Sequence, residues 1–433
     1  MKRANLVVVG LGYVGVPVAA KFAEAGFQVT GIDILPEKVQ MINKGESPIA
    51  GNEPGLSELV SEMVKQGRLR ATSSYDPVKT ADYVLIVVQT PFDLKSREPY
   101  YAALRSAVKS VGPNLKRGVL VILESTVSPG TTNNIVLPIL ESESGLKAGK
   151  DFYLAVAPER VMPGRLLHNL VNYNRVVGGL DEESTKRALE LYRNIVKGEL
   201  HPTDILTAEV VKTTENAYRD VQIAFANEIA LLCEIIGVDA YEVRDLVNKA
   251  PFRNMHIPGA GVGGHCLPKD SWLLAFATKG ILEPRLLALA REINDNMSQH
   301  MSDLCESALT EAGRKNYGSR VTILGLAYLE NSDDTRNSPA FRLIRALEVR
   351  GIHPIVHDPY VAESNGITPL KDLDEALRNS DCAALVTAHD EYKHLSLDHM
   401  KSIMRTPIIV DGRNVFDWRE CKKRGFVYRG IGR

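Results

Sequence analysis

No run of this sequence is apolar for the roughly twenty residues that a membrane-spanning helix needs. A bilayer-crossing protein is therefore not expected, and no membrane partner is. Cysteine is scarce and scattered: Cys233, Cys266, Cys305, Cys382 and Cys421 are odd in number and show no CxxC spacing. That argues against a disulfide framework or a zinc ribbon and fits a reducing compartment, so no metal is expected and a cytoplasmic protein is. Neither sign of charge is in excess. A formal net charge of −1 gives no sign of broad nucleic-acid binding. The opening "MKRANLVVVGLGYVG" has two basic residues and then a short apolar run broken by glycines. It reads as a buried strand entering a loop, not as a signal peptide.

What is present is a globular composition, 44% apolar and 24% charged, over 433 residues, too long for one ordinary core. Residues 5–9, "NLVVV", are apolar at consecutive positions, as in a parallel strand buried on both faces. "GLGYVG", a helical segment and the strand "FQVTGID" follow. Gly10, Gly12 and Gly15 permit a tight turn and the approach of a pyrophosphate to a helix N-terminus. Asp33 accepts hydrogen bonds from a ribose 2′-hydroxyl and repels a 2′-phosphate, so the expected cofactor is NAD. Tyr13 and Val14 lie within the same turn and belong to that candidate site. Three further strands, 83–91, 118–127 and 152–160, end in polar residues. Thr90, Glu124, Ser125, Thr126, Glu159 and Arg160 are thus candidates to face one crevice beyond the strand ends.

From Thr203 to about Ile236, apolar residues recur at helical spacing without Gly or Pro, which predicts one long helix bridging two domains and burying a subunit interface. Lys212 and Asn216, four apart, share a face of it. Helical segments near 239–249 and 283–312 complete a middle layer. Then "SRVTILGLAYLE" echoes the opening, and strands at 353–359, 382–389 and 407–414 predict a second, smaller α/β domain. Its first turn carries Glu330 where the first domain has Gly15, which disfavours a second dinucleotide. A mononucleotide fits better, with Arg336 and Arg413 as contacts. The expected architecture is α/β: two Rossmann-like domains with parallel sheets, 1–200 and 313–433, joined by a long helix and a helical dimerisation layer, 201–312.

Between helices lies "GAGVGGHCLPKDSW", 259–272. Glycines there remove bulk and turn amides inward. His265, Lys269 and those amides are expected to favour a Cys266 thiolate, although a buried, inert cysteine is the alternative. Beside NAD, a nucleophilic thiol has a specific use. It captures an aldehyde as a thiohemiacetal, whose oxidation leaves a thioester for water to cleave. Alcohol to acid then proceeds at one site.

The set "GLGYVG…D", "QTP", "STVSPGTT", "APERVMPG", "AEVVKTTENAYR", "GVGGHCLPKD" and "DDTRNSP" resembles the nucleotide-sugar 6-dehydrogenase family of UDP-glucose and GDP-mannose dehydrogenases, in family order across nearly the whole chain. The resemblance implies NAD bound N-terminally, a UDP-sugar held largely by the C-terminal domain, and at least a homodimer. It implies Cys266 as nucleophile, Lys212 and Asn216 on the developing oxyanion, Asp270 orienting water, Glu159 as base for hydrolysis, and Thr126 positioning water near the nicotinamide. Arg253 is expected to reach a partner's sugar site, with Arg160, Arg165, Gly263 and His265 as further substrate contacts. "GGHC" and "PERVMPG" depart from the UDP-glucose pattern "GGSC" and "PEFLRE" and resemble the branch acting on UDP-N-acetylhexosamines, UDP-N-acetylmannosamine first. Leu329 stands where the family has lysine in "GLAFKP". UDP-glucose oxidation is the rival reading, and an idle NAD-binding scaffold the rival of another class.

Overall fold

The computed structural model describes residues 4–49, 53–93 and 96–433, so Lys2 and Arg3 of the opening lie outside the described residues. The chain forms two compact units, Met1–Glu215 with Trp272–Glu283 and Asn216–Ser271 with Pro284–Arg433. The helical stretch 201–312 is divided between them. Ile205 and Ala208 belong to the core of the first unit, whereas Ala230, Cys233, Met297 and Met301 belong to that of the second.

In the first unit the strands are β1 (Asn5–Val9), β2 (Gln28–Ile32), β3 (Leu69–Thr72), β4 (Tyr83–Ile86), a short hairpin β5 (Phe92–Asp93) and β6 (Glu98–Pro99), then β7 (Leu120–Leu123), β8 (Tyr153–Val156), β9 (Arg175–Gly179) and β10 (Leu200–Asp204). Eight of them make one sheet in the order β10-β9-β8-β7-β4-β1-β2-β3. Val7, Val8 and Val9 are all buried because helices cover both faces, which explains the unbroken apolar run of β1. The chain leaves β1 for β2 on one side and for β4 on the other, so a crevice opens beyond its carboxyl end. The parallel expectation fails at one joint: β9 runs antiparallel to β8, pairing Ala155 with Gly179 and Val156 with Gly178. This reversal brings the first residue of β9, Arg175, to the edge where β8 ends.

The long helix spans Ile205–Ile236, two residues shorter than expected. Leu200–Asp204 is an edge strand instead, and Asp204 caps the helix by accepting from the Thr207 amide at 2.9 Å. Small or polar residues face inward, among them Ala217, Asp220, Ala224, Asn227 and Ala230, while Tyr218, Phe225, Leu232, Ile235 and Ile236 are exposed.

In the second unit β11 (Arg320–Leu324), β12 (His353–His357), β13 (Cys382–Leu385), β14 (Ile408–Asp411) and β15 (Val427–Gly430) form a parallel sheet in the order β12-β11-β13-β14-β15. Helices Ala240–Val247 and Arg285–Glu311 lie close to the expected spans. Among the described residues no helix is long and apolar enough to cross a membrane.

Candidate active site

The glycine turn after β1 separates packing from access. A Cβ on Gly15 would lie 1.8 Å from the Gly10 carbonyl oxygen, and one on Gly10, whose φ is +102°, would lie 2.6 Å from that of Val87. Those two glycines are required by the protein itself. Gly12 is different: nothing lies within 4 Å of its Cβ position, so the backbone is open there to an incoming group. Tyr13 and Val14 complete the turn before the helix Gly15–Glu24, whose N-terminus favours a phosphate. Asp33, just past β2, accepts from the Leu11 amide at 2.8 Å and the Leu35 amide at 3.0 Å, and Lys38 lies 3.9 Å away. An open glycine, a helix N-terminus and an anchored acid fit the pyrophosphate and ribose of NAD.

Strand ends of the first unit are laced together. The Thr90 hydroxyl donates to the Thr126 carbonyl at 2.6 Å, and that of Ser125 to the Val88 carbonyl at 2.6 Å. Glu159 is engaged at both oxygens: one accepts from the Arg160 amide at 2.7 Å, the other from the Arg175 guanidinium. Arg160 itself reaches Glu215 and the Asn174 carbonyl. Arg165 is exposed, in a loop fastened by Glu53, which accepts from the amides of Gly164 at 2.6 Å and Leu166 at 3.3 Å. Lys212 is buried on the long helix. Arg175, Tyr192 and Glu53 were not singled out from sequence. An arginine opening an apolar strand, "NRVVGG", was the available signal for the first.

In the second unit the cysteine loop is braced on every side. The Gly259 amide donates to Asn227 Oδ1 at 2.9 Å, Ala260 to the Gly412 carbonyl at 3.1 Å, and Gly264 to the Arg336 carbonyl at 2.7 Å. Asn337 Nδ2 donates to the Gly264 carbonyl at 2.9 Å and Arg413 Nη2 to that of Gly261 at 3.2 Å. Tyr328 packs against the turn so closely that a Cβ on Gly263 would sit 2.4 Å from its own Cβ. The loop ends at Cys266, whose carbonyl accepts from the amides of Lys269 at 3.0 Å and Asp270 at 2.8 Å, opening the helix Leu267–Phe276. Cys266 is exposed, while the other four cysteines are buried. Its place at a helix N-terminus favours negative charge there. Asp270 is fully buried; it accepts from Asn216 Nδ2 at 2.6 Å and lies 3.5 Å from the Lys269 ammonium. Its Oδ1 has no hydrogen-bond partner.

Burial, then Lys269 and Arg336, push His265 down to about 4, so its imidazole is neutral at pH 7 and supplies no positive charge to the thiol. It retains one donor and one acceptor. Arg253 is exposed beside the fully exposed Phe252.

The second Rossmann turn answers its own amides. Asp358, past β12 as Asp33 is past β2, accepts from Leu326 at 2.7 Å and Ala327 at 2.9 Å, and lies 3.2 Å from His389 Nε2. Those contacts hold its carboxyl well below the usual range despite burial. Two of the turn's amides are thus engaged internally, as the Leu11 amide of the first turn is by Asp33. Arg336 is held by Asp334 at 2.9 Å, and Arg413 donates from Nε to the Val386 carbonyl at 2.7 Å. Glu330 pairs with Lys393 at 2.9 Å beside Leu329.

Three domains of one family match in order: the NAD binding domain of the UDP-glucose/GDP-mannose dehydrogenase family at residues 4–196, its central domain at 206–296 and its UDP binding domain at 322–418. The chain is 40% identical over 429 residues to the UDP-N-acetyl-D-mannosamine dehydrogenase of Pyrococcus horikoshii, covering 99% of each. A solved structure of UDP-D-ManNAc dehydrogenase from that organism superposes with a TM-score of 0.93 at 39% identity, again covering 99% of each chain. That of an NDP-N-acetyl-D-galactosaminuronic acid dehydrogenase from Methanosarcina mazei gives 0.90 at 42% identity, covering 100% of this chain and 95% of the other. With an NAD crevice, a braced cysteine loop and these full-length matches, the chain belongs to the UDP-glucose/GDP-mannose dehydrogenase family of NAD-dependent oxidoreductases.

Proposed function

We propose that the protein oxidises the 6-hydroxyl of a UDP-N-acetylhexosamine, UDP-N-acetylmannosamine first, to the uronic acid. NAD, when bound, supplies the hydride acceptor for both oxidations. The alcohol loses a proton and a hydride to become an aldehyde. The Cys266 thiolate adds to the aldehyde carbon, and the thiohemiacetal oxygen takes up negative charge that Lys212 and Asn216 stabilise. Loss of a second hydride leaves a thioester. Water, oriented by Asp270 and Thr126 and deprotonated by Glu159, displaces the thiolate and releases the acid. The observation that carries this reading is an exposed thiol at a helix N-terminus in a braced glycine loop, followed four residues on by a buried carboxylate between Asn216 and Lys269.

The acetamido preference draws on His265, a neutral donor–acceptor, and on Pro163 and Gly164, which offer no carboxylate. Both close relatives are named for N-acetylated sugars, one manno and one galacto. The outward apolar stripe of the long helix supports at least a homodimer, with Arg253 reaching the partner's sugar, and five free cysteines suit a reducing, cytoplasmic setting. NAD binding is assigned to 1–200, the thiol chemistry and dimer contacts to 201–312, and UDP contacts from Arg336 and Arg413 to 313–433. Turnover of purified enzyme on a panel of UDP-sugars tests the substrate. One or two polar contacts to the acetamido group, worth about 1–3 kcal/mol together, give it a tenfold to hundredfold advantage in kcat/KM over UDP-glucose. Equal or better oxidation of UDP-glucose than of every acetamido sugar would reject the reading.

A further inference from the structure

Four side chains of the first unit form a buried group that the proposed mechanism does not use as a whole. Glu124 follows β7, Glu159 follows β8, Arg175 opens the reversed strand β9, and Tyr192 ends the helix Glu182–Tyr192. Arg175 is 4% exposed and Tyr192 fully buried. The Arg175 Nη2 donates to Glu159 Oε2 and lies 3.6 Å from Glu124 Oε2. Its guanidinium rests on the Tyr192 ring, 4.3 Å from the centroid, and the Tyr192 hydroxyl donates to Glu124 Oε1. Arg175 Nε and Nη1 have no hydrogen-bond partner.

A guanidinium retained in a core with two of its nitrogens unpaired is costly to folding. Stability alone does not account for it, since a packed apolar cluster in place of Arg175 and both its carboxylate partners would avoid that cost. What the arrangement does achieve is definite: Glu159 is held at Oε2 by Arg175 and at Oε1 by the Arg160 amide, so its carboxylate has one orientation. Arg175 is itself fixed by the ring below it and by Glu124 beside it.

We propose that Arg175 is a positioning residue that aims the Glu159 carboxylate at the water cleaving the thioester, with Tyr192 and Glu124 holding the guanidinium in register. This rests on the reading of Glu159 as the hydrolytic base. Its consequence is selective. Steps up to hydride transfer do not need Glu159 aimed, whereas hydrolysis does.

The test is pre-steady-state NADH formation by full-length enzyme with NAD and the best UDP-sugar, comparing wild type, Glu159→Gln, Arg175→Met and Arg175→Lys. For Arg175→Met, steady-state kcat falls by about a hundredfold, the scale of a misplaced catalytic group. Its rapid burst approaches two NADH per site and kcat/KM stays near wild type, because only the last step is slowed. Arg175→Lys keeps the charge but not the fork, recovers part of kcat, and carries the test if the methionine variant does not fold. Loss of burst and kcat/KM together in both variants would mean a structural role only and overturn the proposal. So would an unchanged kcat in Arg175→Met or Arg175→Lys while Glu159→Gln is slow. Normal turnover of Glu159→Gln would instead overturn the base assignment itself.

Discussion

Asn227 joins the cysteine loop to the scaffold of the second unit, and replacing it with alanine has a calculable cost. Its Oδ1 accepts from the Gly259 amide at 2.9 Å, and its Nδ2 donates to Asn294 Oδ1 at 2.8 Å. Asn294 in turn donates to Asp220 at 2.8 Å, which Arg291 also binds at 2.6 Å. Truncation leaves one buried donor and one buried acceptor without partners, each costing about 1–3 kcal/mol. Alanine's better helix propensity returns roughly 0.5 kcal/mol. The net loss is about 1.5–5.5 kcal/mol. The chain has two tryptophans, Trp272 in the first unit and Trp418 in the second, so urea unfolding followed by fluorescence in a Trp272→Phe background reports the second unit. Asn227→Ala should lower its midpoint by the equivalent of that loss, and kcat should fall as the thiol loses its fixed position. A loss below about 0.5 kcal/mol with unchanged kcat would refute the claim that this amide braces the loop.

Other predictions use the same geometry. Gly12→Ala should fold normally, within a degree or two of wild-type Tm, yet raise the NAD Kd at least tenfold, since its Cβ enters open space that the pyrophosphate needs. Gly15→Ala should instead lower Tm sharply, because its Cβ would strike the Gly10 carbonyl; titration calorimetry and thermal melts separate the two. Burial raises the Glu124 carboxyl from 4.5 to about 7, so its contribution to stability is fully present below pH 4.5 and is lost as pH rises to about 7. Glu124→Gln removes that titration, and the stability of the variant relative to wild type should rise by about 3 kcal/mol between pH 4.5 and 7.5 in chemical denaturation. A flat difference would show that Glu124 is already ionised across that range. Tyr218→Asp with Phe225→Asp, on the exposed stripe, should convert a dimer to a monomer in sedimentation; an unchanged assembly would place the interface elsewhere.

Legibility in the sequence followed the range of the interactions. The unit from Asn5 to Asp33 was readable because its signals, apolar run, glycine spacing and terminal acid, lie within thirty residues of one another. The more apolar strands and the long helix were found for the same reason, and the cysteine loop by its glycines, whereas the strands Leu69–Thr72, Arg175–Gly179, Leu200–Asp204 and Val427–Gly430 were not. Arg175 was not. Its partners are 16 and 51 residues away, and only the reversal of β9 brings them together. Helical spacing gave the length of Ile205–Ile236 but not which residues face inward, since periodicity fixes a stripe and not its partner. The charge state of His265 was not legible, because burial and neighbouring cations belong to the fold. The internal use of the second turn's amides by Asp358 was likewise hidden, since they lie 32 and 31 residues from it.

The thioester is the central intermediate, and counting NADH against product tests it most directly. With limiting UDP-N-acetylhexosamine, wild-type enzyme should yield two NADH per uronic acid with no free aldehyde, and Cys266→Ala should form no acid at a significant rate. Near-normal acid production by Cys266→Ala, or one NADH per sugar with the aldehyde released by wild type, would contradict it.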